Sequence, residues 1–253
     1  VEVSVVTSTE LGYLDGVTSN IQTQIDAAGG ASSLDELSDV KYQGTNFDSS
    51  LLIGNTTTGT LNAAARNVGV GNQVFTSLTS GTDNTSIGNA ASKHNTSGSY
   101  NTNIGSSSNF DNQTGSKNTM LGYQSGRFNT TNNGVAVGYR SLYSNTTGIS
   151  NTAIGFQTLF NTTTGKENTS VGYESLYSNT TGQQNTASGY QALYNNTEGS
   201  YNIASGYQAL HFNTTGHRND ATGRMALYSN TTGANNTAYG MSALTSNTTG
   251  NYN

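Results

Sequence analysis

The chain has 253 residues, of which only 32% are hydrophobic and 9% charged, with no proline, cysteine or tryptophan; one large conventional core is therefore not expected, and thiol chemistry is excluded. The net charge of -5 is unevenly spread: residues 1–53 carry eight acids and one base, Lys41, whereas residues 54–253 carry six acids and eight bases. Neither part has the basic density that neutralises many phosphates, so nucleic acid is not an expected partner, and no run of about 18 apolar residues argues for membrane insertion.

Residues 9–26 are predicted to form a short helix, because Leu11, Leu14, Thr18, Ile21 and Ile25 alternate three and four apart, the spacing of a narrow coiled-coil seam. A helix of that length is marginal alone, so residues 1–32 are assigned as a trimerisation segment in which identical chains supply the missing burial. Gly29 and Gly30 break the pattern. The Ser33 to Glu36 spacing fits either a helix cap or a turn, and residues 33–53 are taken as a connector.

From residue 54 to residue 253 the chain is a tandem array. An anchoring glycine recurs at Gly54, Gly71, Gly88, Gly105, Gly122, Gly138, Gly155, Gly172, Gly189, Gly206, Gly223 and Gly240, always 17 residues apart except for the 16-residue step from Gly122 to Gly138. A fixed period of this length marks structural units stacked on copies of themselves. The recurrent Asn-Thr-x-x-Gly suits turns between short strands, two or three of them per copy, better than helices. Such polarity without order would lack aromatics, yet most of the 15 tyrosines and 7 phenylalanines fall at fixed repeat positions.

Aligning the copies gives rows of like residues. Leu142, Leu159, Leu176, Leu193, Leu210, Leu227 and Leu244 form one, and Ala136, Ala153, Ser170, Ala187, Ala204, Ala221 and Ala238 another; these two are the expected inward rows. Asn151, Asn168, Asn185, Asn202, Asn219 and Asn236 are placed to hydrogen-bond from coil to coil. Two aromatic rows follow, Tyr139, Phe156, Tyr173, Tyr190 and Tyr207, and Tyr143, Phe160, Tyr177, Tyr194, His211 and Tyr228. Strand alternation does not decide which aromatic row faces outward, since a bulge at the anchor glycine reverses the phase. The position before the anchor runs from Ile53, Val70, Ile87 and Ile104 to Ser188, Ser205 and Thr222 while the leucine row begins only at Leu142, so the cross-section is expected to change along the array, near the short step at Asn133-Gly134.

Motifs of chemistry are sparse. Gly69-Val70-Gly71 lacks the third glycine and the helix of a phosphate loop. His94, His211 and His217 share no ligand spacing, Glu167, Glu174, Glu198 and Asp220 do not stack, and no acid pair suggests glycoside hydrolysis, so no enzyme activity, metal or cofactor is expected. Asn55, Asn84, Asn129, Asn145, Asn179, Asn213, Asn230 and Asn247 each precede a hydroxyl residue by two, which reads either as glycosylation acceptors or, preferably, as a repeated polar turn. The turn threonines lack the Thr-x-Thr pattern of an ice-binding row.

Thr9-Glu10-Leu11-Gly12-Tyr13-Leu14-Asp15-Gly16-Val17-Thr18-Ser19-Asn20-Ile21-Gln22-Thr23-Gln24-Ile25 resembles a linker of bacteriophage tail fibre proteins, especially those of marine and freshwater phages, and Leu34-Asp35-Glu36-Leu37-Ser38-Asp39-Val40 and Ser50-Leu51-Leu52-Ile53-Gly54 are similar to segments beside it. The array resembles repeats of such fibres, and Asn151-Thr152-Ala153-Ile154-Gly155 is similar to the head repeats of trimeric autotransporter adhesins. The resemblance implies a homotrimer, an extended shaft and, in many relatives, a C-terminal receptor tip or self-cleaving chaperone domain. Since the sequence starts without methionine and stops four positions before the next anchor is due, it is expected to be an excerpt of a longer chain.

The expectation is thus an all-β, trimeric β-roll or β-helix-like fibre shaft entered through a short coiled coil, located on a virion outside the cell. Its partners would be identical chains and a host-surface glycan or protein receptor, with Tyr173, Tyr190, Tyr207, Tyr177, Tyr194 and Tyr228 as candidate sugar-stacking residues. The alternatives are a bacterial cell-surface adhesin or extracellular filament subunit and, below these, a polysaccharide-degrading tailspike.

Overall fold

A computed structural model describes residues 40–42, 46–54 and 58–253. The expected helix at 9–26, the whole 1–32 segment and the cap at 33–36 lie outside the described residues. The rest of the chain is an all-β parallel solenoid of about 11 stacked turns. Its main sheet runs in the order β1 (Val40–Tyr42), β3 (Leu51–Ile53), β5 (Val68–Val70), β6 (Thr85–Ile87), β7 (Thr102–Ile104), β8 (Thr119–Leu121), β9 (Val135–Val137), β10 (Thr152–Ile154), β11 (Thr169–Val171), β12 (Thr186–Ser188), β13 (Ile203–Ser205), β14 (Asp220–Thr222) and β15 (Thr237–Tyr239). Every pairing in it is parallel except that of β1 with β3, and β2 (Phe47–Asp48) pairs separately with β4 (Ala64–Ala65).

From β5 onward each coil has one three-residue strand, where two or three strands per coil were expected. The reason is the backbone hand. In the coil that starts at Gly189 (φ 137°), Gln191, Leu193 and Tyr201 all have left-handed φ values between 51° and 62°, and alternating right- and left-handed residues cannot run on as an extended strand. The coil still bonds to its neighbours around its perimeter. Gly189 N donates to Val171 O and Gln191 N to Tyr173 O on one side, while Leu193 N donates to Ala209 O and Thr197 N to Thr214 O on the other. A parallel stack thereby satisfies its amides without long strands.

The anchor glycine is dictated by this packing. At Gly189 a Cβ would stand 2.5 Å from the carbonyl oxygen of Gly206, with a φ that only glycine adopts freely. The 16-residue step leaves the strands in register, Thr119 opposite Val135 and Leu121 opposite Val137. The missing residue is absorbed at the corner: Thr131 O accepts from Asn118 Nδ2, as the glycine carbonyl does in other coils, and Gly134 N bonds Asn118 Oδ1 at 2.8 Å.

The leucine and alanine rows do point inward. Leu142, Leu159, Leu176, Leu193, Leu210 and Leu227 and the central strand residues Ala136, Ala153, Ala204 and Ala221 are completely buried in one continuous cluster that begins at Met120. A separate cluster of Phe47, Leu52, Ala64, Val74, Phe75, Leu78 and Ala91 fills the first coils. Between them the interior is polar, with Ser86, Ser92, Asn103, Ser108 and Asn109 all buried. The aliphatic row before the anchor contributes to neither cluster. Ile87, Ile104, Ile154 and Val171 project from the outer face of the sheet, so the fading of this row along the array is not a change of the interior. What changes along the axis is the filling of the core itself.

Candidate functional surfaces

Two asparagine ladders line the interior edge of each coil. In the first, from Asn168 to Asn236, each Nδ2 donates both to the Oδ1 one coil back and to a glycine carbonyl one coil on. Asn185, for example, reaches Asn168 Oδ1 at 3.1 Å and Gly199 O at 2.8 Å, while its own Oδ1 accepts from Asn202 N at 3.0 Å. The second ladder runs through Asn179, Asn196, Asn213 and Asn230, each Nδ2 of the last three bonding the preceding Oδ1 at 2.8 to 2.9 Å. Burial bears on the glycosylation reading at six of the eight candidate asparagines. Asn84, Asn129, Asn145, Asn179, Asn213 and Asn230 are buried with their amides engaged, so the folded chain cannot present them as acceptors. The Asn-Thr-Thr-Gly motif is a structural corner.

Both aromatic rows lie on the outside. Tyr123, Tyr139, Phe156, Tyr173, Tyr190 and Tyr207 form one continuous stack, with ring centroids 4.9 to 5.4 Å apart and planes within 16° of parallel. Tyr143, Phe160, Tyr177, Tyr194, His211 and Tyr228 form the other, at 4.9 to 5.4 Å and within 13°. The first is the more open; Tyr173 and Tyr190 are about 40% exposed and Tyr194 is half-buried. Tyr123 belongs to the first stack although sequence alignment began the row at Tyr139; its place one residue after Gly122 was the available signal.

Stacking fixes what these rings can do. Tyr173, Tyr190, Tyr177 and Tyr194 each have a ring on both sides, and the outer side of Tyr207 carries the Arg224 guanidinium at 5.8 Å. Sugar stacking on their faces is closed to them; ring edges and hydroxyl groups face solvent. Between the two stacks runs a row of polar side chains in which Gln208 Nε2 donates to Gln191 Oε1 at 3.0 Å and Gln191 Nε2 to Glu174 Oε2 at 2.9 Å. Desolvation, then the Glu174 charge, raises the phenol pKa of Tyr173 and Tyr194, so both remain neutral hydroxyl donors well above neutral pH.

Other sequence candidates are scattered. Gly69 is buried in β5, where a Cβ would stand 2.5 Å from Leu52 Cδ2, so the Gly69-Val70-Gly71 motif is a packing device. His94 bonds Asp111 at 2.8 Å on the surface, His211 sits in the second aromatic stack, and His217 is exposed. Glu167 accepts from Gln184, and Asp220 from Tyr239. Among the described residues no three metal-ligating side chains gather, no pocket opens, and no helix is long and apolar enough to cross a membrane.

The remaining feature is the outer face of the main sheet. Its two outward columns are Leu51, Val68, Thr85, Thr102, Thr119, Val135, Thr152, Thr169, Thr186 and Ile203, and Ile53, Val70, Ile87, Ile104, Leu121, Val137, Ile154, Val171, Ser188 and Ser205. Neither column contains a charge until Asp220 in β14. The chain matches no protein-family model, no curated protein and no solved structure.

Proposed function

We propose that the chain is a shaft segment of a phage tail fibre, built from three identical chains, that holds a receptor-binding region away from the virion and contacts the host surface. The observation that carries this reading is the parallel register that runs from β3 to β15 without interruption, even across the 16-residue step. A stack whose coils differ little along its length transmits position and offers the same surface many times. The resemblance of residues 9–25 to fibre linkers supports a place for such a stack on a virion. Along the shaft, hydroxyl groups of Tyr173, Tyr190, Tyr177 and Tyr194 beside Glu174, Gln191 and Gln208 suit hydrogen bonding to host glycans from the ring edges, in place of face stacking. No catalytic role is proposed.

Immunogold electron microscopy with an antibody raised against the chain tests the reading on phage lysates and on uninfected bacteria. Label along virion tails is expected. Label confined to the envelopes of uninfected cells overturns it and assigns the chain to a cell-surface adhesin.

A further inference from the structure

We propose that copies of this chain bind one another through the outer face of the main sheet, parallel and in register, over β3 to β11. The inference rests on the homotrimeric reading above and adds which face is used, in which direction, and where the contact stops.

Three observations carry it. First, the aliphatic column from Ile53 to Val171 is bare although it is regular: Ile87, Ile104, Ile154 and Val171 are each 38% to 41% exposed, which in a ladder covered above and below leaves the whole outward face of each side chain open. Second, the adjoining threonines are uncommitted. The turn threonines Thr146, Thr163, Thr180, Thr197 and Thr214 each donate Oγ1 to a carbonyl of the next coil. By contrast, the hydroxyls of Thr85, Thr102, Thr119, Thr152, Thr169 and Thr186 make no bond within the described chain. Third, this face carries no charge from β3 to β13, so bringing two such faces together buries no ion and opposes no like charges.

The occupant follows from the repeat. A column with one aliphatic side chain per coil, about 4.8 Å apart, is covered rank by rank only by an object with the same axial period, and a second copy of this chain has it. Direction follows from symmetry. Chains related by a three-fold axis all run the same way, so the homotrimeric reading makes the packing parallel; in register it sets Ile on Ile and leaves Ser188 against Ser188 and Ser205 against Ser205. Eight strands of three residues present roughly 400 Å² per chain, so a lone pair would bury about 800 Å² in total, short of the roughly 1,000 Å² that a specific interface needs. Three chains closing around one axis bring three such faces together, and that number fits the face better.

Sedimentation velocity on the full chain tests this, with far-UV circular dichroism to monitor folding. Wild type is expected at three times the 26.3 kDa chain mass. The Ile104→Asp/Ile154→Asp variant is expected at the mass of one chain with an unchanged spectrum, and the Thr147→Asp/Thr181→Asp variant, altered at exposed turn positions, is expected to remain assembled. Ile104→Ser/Ile154→Ser guards against misfolding, since serine already stands at the equivalent 188 and 205; it should weaken assembly at least tenfold. An assembled wild type whose strand-face variants stay assembled overturns the face and leaves the trimer. A wild-type monomer at every concentration overturns both, and one that also shapes growing ice crystals assigns the threonine and isoleucine columns to ordered water.

Discussion

The coils after Gly138 and those before Gly122 share one backbone but fill it differently. From Gly71 onward the anchor glycines have φ between 117° and 137°, and left-handed residues recur two and four places after them, so both regions obey the same coil geometry. After Gly138 the interior is a leucine opposite an alanine or serine in every coil. Before it, the residue pairs that face each other six apart are Gly69 with Phe75, Ser86 with Ser92, Asn103 with Asn109, and Met120 with Gly126. At Gly126 an added Cβ would collide with its partner Met120, and at Gly69 it would meet Leu52 and Val74 first and Phe75 at 3.1 Å. Volume is conserved across each apolar pair, as close packing requires. Polarity is not: Ser86 Oγ bonds Ser92 Oγ at 2.7 Å and Asn103 Nδ2 bonds Ser92 Oγ at 2.6 Å, while both amide atoms of buried Asn109 have no partner. The backbone is thus fixed by glycine and coil-to-coil amide bonds, and the core is free to vary only as matched pairs.

Substitutions can break or sharpen that comparison. The largest effect is expected where the two regions agree. Gly189→Ala and Gly71→Ala should each cost about 4 kcal/mol or more, because an added methyl meets a carbonyl of the next coil at a φ closed to alanine; denaturant midpoints would show it. Leu193→Ala removes a buried knob from the regular stack and should cost about 3 kcal/mol in the same assay. In the polar layer the sign reverses. Asn109→Leu has the same number of side-chain atoms, occupies a φ (48°) close to that of the leucines in later coils, and removes two unpaired buried groups, so it should raise stability by about 1 to 2 kcal/mol.

Smaller effects probe the ladders. Thr162 interrupts the second asparagine ladder, leaving Asn145 Oδ1 and its own Oγ1 unpaired. Thr162→Asn should restore the chain of amides from Asn145 to Asn179 and gain about 1 kcal/mol in thermal or denaturant unfolding. The smallest effect concerns His211, whose pKa burial lowers against the opposing bond to Gln191 O. A depressed histidine pKa means that the unfolded chain binds the proton more readily, so stability is present above the ordinary histidine value near 6.5 and falls as pH drops through it. His211→Tyr, which restores the aromatic of Tyr194 and Tyr228, should remove that loss; melting temperatures at pH 7.5 and 5 would draw together.

Much of this was legible in the sequence, and what escaped has a common cause. Leu159 and Ala153 declared themselves inward by repetition alone, and Asn168 and Asn185 declared their ladder, because a stacked repeat turns period directly into contact. The strand count did not, since nothing in the identity of Gln191 or Leu193 announces a left-handed backbone. Nor did the sequence decide the side of the aliphatic row before the anchor, where Ile104 and Ile154 lie outside. For the aromatic rows the period gave the stacking partners but not the consequence: Tyr173 and Tyr190 cover each other's faces, which changes the kind of glycan contact they suit. The outward-facing, half-buried threonines of β6, β7 and β8 were hidden among the more numerous turn threonines, and only the bonding of one set and not the other separates them.

Native-state hydrogen exchange tests most directly the claim that matched filling, not backbone geometry, sets local stability along the stack. The amides of residues 85–109, around Ser86, Asn103 and Asn109, are predicted to exchange faster than those of residues 152–236, and Asn109→Leu should slow them selectively. Equal protection along the two regions, or no change with Asn109→Leu, would contradict it.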